Sequence, residues 1–307
     1  MIACLRLFTA LCLAALLAAC ASSPSSSLGE LPRTPDASIE QLLAQASQAS
    51  TPEKAALLRL SAADLAYHQG DAGRSAQILQ QVPMEQLKPG QQIFASTLNA
   101  ELAMTRNQPK AALTALSHPS LQHLGEMPEE QQVRTGTVHA RALEADGQTL
   151  AAARERVFIA PMLKGEAASK NHEAIWTLIA SLPTDQLQAN TTDDLGGWMG
   201  LALAVKSAGT LEQQQAAIDT WRAQNPKHPA AINLPQPLTK LKELASQPLS
   251  KIALLLPQDG QLAAVGKALR EGFMAAHYQA QQAGQKPPAI EFYDSSKLTS
   301  MDEFYRK

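Results

Sequence analysis

KIALLLPQDGQLAAVGKALREGF, residues 251–273, joins an unbroken apolar run to a turn and then to a helical pattern. The run over 251–256 lacks polar alternation, as a strand covered on both faces requires. Pro257, Gln258, Asp259 and Gly260 supply the turn, with Asp259-Gly260 placed to cap a helix over 262–282. A loop over 284–288 and a second strand over 289–293 follow. This order predicts parallel strands joined by a right-handed crossover helix. One such unit leaves apolar surface that further strands and helices must cover.

Upstream, from about residue 38 to 231, the pattern is helix after helix. Residues 53–68 put Leu58, Ala62 and Leu65 on one face, with Pro52 in the first turn and Thr51 as cap. A second helix over 72–82 follows a break at Gly70, and Pro83 stops it. The unit recurs as 93–106 with 109–116 across Asn107, and as 133–146 with 150–158 across Gly147. A further helix covers 172–181, and a last pair covers 195–207 and 211–224. The breaks at Gly70, Asn107 and Gly147 approximate the tetratricopeptide period of about 34 residues, loosely kept. Each pair has an apolar face it cannot bury alone, so the expected fold is a mainly α, tetratricopeptide-like solenoid followed by the β-α-β unit. Trp176, Trp198 and Trp221 fall on apolar stripes and read as core. Prolines 226, 229, 235, 237 and 248 mark a linker, assigned to residues 232–249, with one short helix over 238–245.

The amino terminus is of another kind. Arg6 precedes an apolar stretch over 7–17, and small residues follow, which describes a secretory signal over 1–19. Leu17-Ala18-Ala19-Cys20 matches the bacterial lipobox and makes Cys20 the candidate for S-diacylglyceryl and N-acyl modification. An ordinary signal peptide cleaved beside a cysteine is the alternative. Of the three cysteines, Cys4 and Cys12 leave with the signal. Cys20 then has no disulfide partner, and lipidation accounts for it. Ala21 and Ser22 follow it rather than Asp, which by bacterial sorting rules favours the outer membrane, on its periplasmic side. Residues 20–36, rich in Ser and Pro, read as a flexible lipidated tether.

Composition narrows the function. A net charge of −2 gives no basic footprint for nucleic acid. Aromatics are 4% and apolar residues 45%, as suits close helix packing through small side chains. No apolar run after residue 20 reaches the roughly 20 residues that a membrane-spanning helix needs. No cofactor or metal motif is found. His172-Glu173 has Trp176 where a zinc-binding H-E-x-x-H needs its second histidine, and His118 and His123 lack a third ligand. Gly260 and Gly266 fail the phosphate-loop pattern, and no serine-nucleophile motif occurs. The adjacent acids Glu129-Glu130 and Asp193-Asp194 sit where helix starts favour negative charge. The expected function is non-enzymatic.

Taken together, the lipobox, the Ser/Pro segment, the helical pairs and the last motif resemble the LpoA (LppC) family of outer-membrane lipoproteins. The motif residues are Ile252-Ala253-Leu254-Leu255-Leu256-Pro257, Gly260, Leu262-Ala263-Ala264, Gly266, Ala268, Arg270 and Gly272-Phe273. WRAQNPKHPA, residues 221–230, resembles the family's junction between domains. The resemblance implies that the helical domain is 37–231. It also implies that 250–307 opens a domain of the type I periplasmic-binding-protein fold, truncated in this chain. It further implies a regulator that binds and activates a class A penicillin-binding protein, with peptidoglycan as a further candidate partner. In the family the synthase-docking surface is assigned to the C-terminal domain. Alternatives are a helical-repeat scaffold of envelope assembly and a periplasmic solute receptor. Where relatives of that fold carry Leu-Ser-Gly after the proline, this chain has Gln258-Asp259-Gly260, and Asp259 would repel an anionic ligand.

Overall fold

The structure is a computed structural model that describes residues 27–32, 36–187, 193–246, 250–298 and 300. The chain divides into two compact units, one closing at Gln236 and one starting at Pro237. The first holds α1 (Ile39–Ser47), α2 (Pro52–His68), α3 (Ala72–Leu79), α4 (Pro89–Thr105), α5 (Pro109–Ala115) and α6 (Glu129–Ala145). It continues with α7 (Thr149–Ile159), α8 (Gly165–Ser181), α9 (Asp194–Ser207), α10 (Leu211–Gln224) and α11 (Pro229–Ile232). The second holds α12 (Gln236–Ser246), β1 (Lys251–Leu256), α13 (Ala263–Gln282) and β2 (Ala289–Asp294).

One device makes the helix pairs. Gly70, Asn107 and Gly147 all have positive φ, at 85°, 55° and 79°. At each, the next residue's N–H reaches back five residues, Asp71 to Ala66 O, Gln108 to Ala103 O and Gln148 to Leu143 O, at 2.8–3.0 Å. This closes a Schellman-type end and turns the chain into the next helix. Glycine takes that conformation without Cβ strain, and asparagine is the usual substitute. Pro52, Pro89 and Pro109 stand in the first turn of α2, α4 and α5, where no N–H is needed. Thr51 Oγ1 accepts from Lys54 N as its cap role requires. Three helices begin earlier than their apolar spacing suggests: α4 at Pro89, α6 at Glu129 and α8 at Gly165. Their first turns carry few large apolar residues, so periodicity does not mark them.

The core is built on alanine. Ala56, Ala62, Ala63 and Ala66 of α2 are fully buried, as are Ala100, Ala112, Ala140, Ala152 and Ala153 further along. Methyl-sized side chains let helices approach closely, and from α1 to α10 each helix touches its sequence neighbours while α4 also touches α2 and α6. Trp176, Trp198 and Trp221 are buried, as their stripes predict. Between the long helices the polar contacts are paired. Arg134 on α6 donates from Nη2 to Asp64 Oδ1 on α2 at 2.7 Å and from Nε to Glu101 Oε1 on α4 at 3.0 Å. Its guanidinium also lies 4.7 Å from the centre of the Phe94 ring. Burial opposes its charge, but hydrogen bonds and attraction from Glu101 and Asp64 outweigh that and move its pKa above the ordinary guanidinium value.

The described part of the Ser/Pro segment is not free. Leu28 is buried with Ile93 and Met127, and its carbonyl accepts from Gly90 N at 2.8 Å. The buried Gln91 donates from Nε2 to Glu30 O at 2.9 Å. Gly29 (φ 89°) and Gly90 both make this approach feasible, since a Cβ on Gly90 would come within 2.7 Å of Leu28 O. The expectation of a flexible tether through residue 36 is corrected here. Composition signals disorder, but Leu28 has an apolar socket and its neighbours' backbone has partners. The stretch assigned as a linker, 232–249, carries α12, with Leu238 buried.

In the second unit β1 and β2 pair in parallel, Lys251 opposite Ala289 and Leu256 opposite Asp294. Gly266 lets α13 cross close to the turn, because a Cβ there would sit 2.1 Å from Pro257 O. Asp259 does not cap α13. The position before the helix is Leu262, with no side-chain cap, and the Asp259 backbone N–H donates to Ser296 Oγ at 2.9 Å instead. Leu262, Val265, Leu269 and Phe273 of this segment are exposed.

Replacing Arg134 by Met leaves the Asp64 and Glu101 carboxylates facing each other in a half-buried site. A loss of about 2–3 kcal/mol is expected in urea unfolding, somewhat below the cost of breaking a fully buried ion pair. Arg134→Met combined with Asp64→Asn and Glu101→Gln should recover part of it. Equal stability of wild type and the single variant would contradict this account.

Candidate functional site

Leu17, Ala18, Ala19 and Cys20 lie outside the described residues. Within them, three places gather side chains of functional interest.

The first is a groove of about 470 Å³ in the helical unit. Ala95, Asn99, Leu102 and Arg106 line it at spacings of four, three and four, a single stripe along α4 and its C-terminal residue. Leu79 and Gln80 at the end of α3, and Met84 beyond it, form one wall. The other wall is Thr114 and Ala115 of α5 with Ser117, His118 and Pro119. His118 is already used locally: its Nδ1 accepts from Ser120 N at 3.2 Å. It starts the 3-10 turns of Pro119–Glu126 rather than serving a metal. His123 faces Glu126 at 2.8 Å.

The second is a cluster around Trp198. His172 and His228 meet its ring edge-on, with centroids 4.9 and 5.4 Å away, and Trp221 packs on His228 at 5.1 Å. Ala230 N donates to His228 Nδ1 at 3.1 Å, so the ring proton sits on Nε2, which donates to Asp194 O at 2.9 Å. Gly197 leaves room for this ring, as a Cβ would come within 2.4 Å of it. His172 Nε2 donates to Asn233 O at 2.8 Å, and Glu173 accepts from Gln236 N at 3.0 Å. Thus α8 ties down the stretch that leads out of the helical unit. Burial pushes the His172 pKa below the ordinary imidazole value, against the opposing hydrogen bond to Asn233. The cluster reads as packing, with both His228 nitrogens satisfied.

The third is the crevice beyond β1, about 380 Å³, lined by Pro257, Gln258, Lys267, Arg270 and Phe292 among others. Arg270 lies 4.4 Å over the Phe292 ring. The backbone N–H groups of the turn are the donors that an anionic ligand would use. Two of them are taken: Gln258 N donates to Asp294 Oδ1 (3.1 Å) and Ser296 Oγ (2.9 Å), and Asp259 N to the same hydroxyl. The Ser296 hydroxyl and backbone, with Gln258, hold the Asp294 carboxyl below its ordinary range. The end of β2 and the residue two beyond it thus hold the turn that follows β1. Among the described residues no cluster of three or more His, Cys, Asp or Glu is placed to hold a metal. None of their helices is long and apolar enough to cross a membrane.

Stacked helix pairs leading into a parallel β-α-β unit define a helical-repeat protein with an α/β extension. Residues 32–307 match the family described as "LppC putative lipoprotein", and the chain belongs to it. It is 30% identical over 277 residues to a protein of Pectobacterium parmentieri named penicillin-binding protein activator LpoA, covering 88% of this chain and 40% of that one. The protein of the same name from Edwardsiella piscicida is 31% identical over 307 residues, covering 96% of this chain and 43% of the relative. The chain thus spans about two fifths of the length of these relatives. Among solved structures, Haemophilus influenzae LpoA aligns with a TM-score of 0.52 at 22% identity, over 90% of this chain and 50% of that one. The amino-terminal domain of Escherichia coli LpoA aligns with a TM-score of 0.52 at 21% identity, over 71% of this chain and 97% of the domain. At that identity these two establish the fold.

The lowered His172 pKa fixes a sign for the pH response. Its folded form resists protonation, so as pH falls through about 6.5 the unfolded chain takes up the proton first and stability declines. The contribution is complete above that value and is lost progressively below it, levelling off under the folded pKa. Thermal melting should therefore show a lower midpoint at about pH 5 than at pH 7.5, with part of that slope missing in His172→Gln. An identical slope in the variant would assign the effect elsewhere.

Proposed function

We propose that this chain is a non-enzymatic, lipid-anchored regulator of peptidoglycan synthesis that binds and activates a class A penicillin-binding protein. The observation that carries the reading is the match to two relatives named penicillin-binding protein activator, at 30–31% identity across 88–96% of this chain. Because the chain spans about two fifths of them, the activity is assigned by relationship. The domain assignment belongs to the same reading: a signal over 1–19, a tether from 20, helical repeats over 37–231, a linker over 232–249 and the start of a periplasmic-binding-protein-like domain from 250.

Cys20 is the proposed site of lipid attachment, with Leu17, Ala18 and Ala19 as the recognition sequence, and the outer membrane is the proposed location. Two or more acyl chains on one cysteine suffice for stable anchoring. Since Leu28 is seated on the helical body, only about eight residues, or some 27 Å at full stretch, separate the anchor from folded protein. The body would therefore stay near the membrane surface, and a partner would be met there.

The solute-receptor alternative is disfavoured by the turn amides, which Asp294 and Ser296 already occupy. The all-helical scaffold alternative is disfavoured by the parallel strand pair.

Affinity capture from solubilised envelopes should recover a class A penicillin-binding protein, and adding the purified chain should raise its glycan or cross-link synthesis. Recovery of outer-membrane assembly proteins alone would favour the scaffold alternative. Cys20→Ala should abolish incorporation of a clickable palmitate analogue and move the protein from the membrane fraction to the periplasmic one. Continued labelling in that variant would exclude the assigned site.

A further inference from the structure

We infer that residues 28–31 form a releasable strap, which gives the mooring of this chain two lengths. The inference rests on the lipid attachment at Cys20 proposed above and deepens it by assigning a control of reach.

The strap is seated on the start of α4. Leu28 is buried with Ile93 and Met127, and Leu31 packs both on this trio and on the core that α1 to α4 share. Gly90 is the second residue of α4, and an N–H at that position has no acceptor within its own helix. Leu28 O supplies one at 2.8 Å. Glu30 O accepts from Gln91 Nε2 at 2.9 Å. Gln91 Oε1 meanwhile accepts from Lys88 N at 3.0 Å, a contact made wholly within the helix start. Lifting the strap therefore takes an acceptor from Gly90 and opens an apolar socket, while the contact that caps α4 stays. Release is separable from unfolding of the helical unit. Gly29 and Gly90 are fitted to the seated state: φ at Gly29 is 89°, and a Cβ on Gly90 would meet Leu28 O at 2.7 Å.

The place of the strap in the chain supplies the trigger. A pull between anchor and body enters at Leu28 and loads the strap's contacts one after another, before it reaches the capping box of α1 at Ser38. With Leu28 seated, eight residues from Cys20 span at most about 27 Å; with the strap lifted, eighteen span about 60 Å to Ser38. A partner fixed beyond the shorter reach is engaged only in the lifted state. Unseating Leu28 thus lowers the apparent affinity for distant partners and leaves near ones untouched.

The test uses the processed lipoprotein in phosphatidylethanolamine–phosphatidylglycerol nanodiscs. Hydrogen exchange comes first. The Gly90 amide should exchange at least about tenfold faster in Leu28→Gln than in the wild type, with the amides of residues 95–103 unchanged. Those unchanged amides show that the variant folds. In the wild type Gly90 should still exchange faster than they do, as local opening requires. A dye is then placed on Gln81→Cys, exposed just beyond α3, for energy transfer to a headgroup dye. Leu28→Gln and Gly90→Ala should each set the helical unit about 8 Å farther from the bilayer, the difference between flexible chains of eighteen and eight residues. The inference is overturned if wild-type Gly90 exchanges as slowly as the middle of α4, because the strap would then open only with the whole unit. It is equally overturned if wild-type Gly90 exchanges as fast as in Leu28→Gln, or if all three distances agree. A processed chain without lipid would not sit on the nanodisc, and that outcome removes the mooring reading together with the two lengths. With lipid present and any of the earlier negative results, the strap alone falls.

Discussion

Three successive long helices are fixed to one another by a single guanidinium. Arg134 projects from α6, reaches Asp64 on α2 and Glu101 on α4, and lies over Phe94. Helix packing through alanine is smooth and gives little resistance to sliding, because methyl groups make shallow ridges. A bidentate, partly buried ion pair with two acids on different helices supplies the missing register. Removing its charge would leave two carboxylates without their counterion, so the stack and the clamp require each other.

The same problem recurs along α4, which is buried over most of its length. A buried polar group must be hydrogen-bonded, and Gln91 and Thr97 meet this by joining neighbours. Gln91 holds the amino-terminal segment through Glu30 O. Thr97 contacts Thr135 Oγ1 at 2.8 Å, and Gln131 Nε2 donates to both hydroxyls, binding α4 to α6. On the groove side of α4, Asn99 and Arg106 are exposed while Ala95 and Leu102 are buried.

At the far end of the helical unit, His172, His228 and three tryptophans do comparable work with rings. His228 is locked as one neutral tautomer by Ala230 N and Asp194 O, and the chain that follows is fastened to α8. In the second unit Asp294 and Ser296 take up the backbone N–H of Gln258, which gives this turn a structural role.

Local chemistry was enough to determine much of this. The positive-φ turns at Gly70, Asn107 and Gly147, the prolines opening helices, the capping Thr51 and the strand-turn-helix of 251–273 all follow from interactions within a few residues, so the sequence alone announces them. The buried tryptophans follow from spacing along one helix. Tertiary structure alone decided the remainder. Leu28 and Glu30 sit in a segment whose composition signals disorder, and only a socket made by residues some sixty positions away orders them. Asp259 has the residue type and position of a cap, but Ser296, distant in sequence, competes for the turn's backbone. The groove's Asn99 and Arg106 look like ordinary surface residues until α3, α5 and the turn after it are folded around them. Short-range preferences set the elements, while contacts between residues far apart in the chain set which polar groups are satisfied and which stay available.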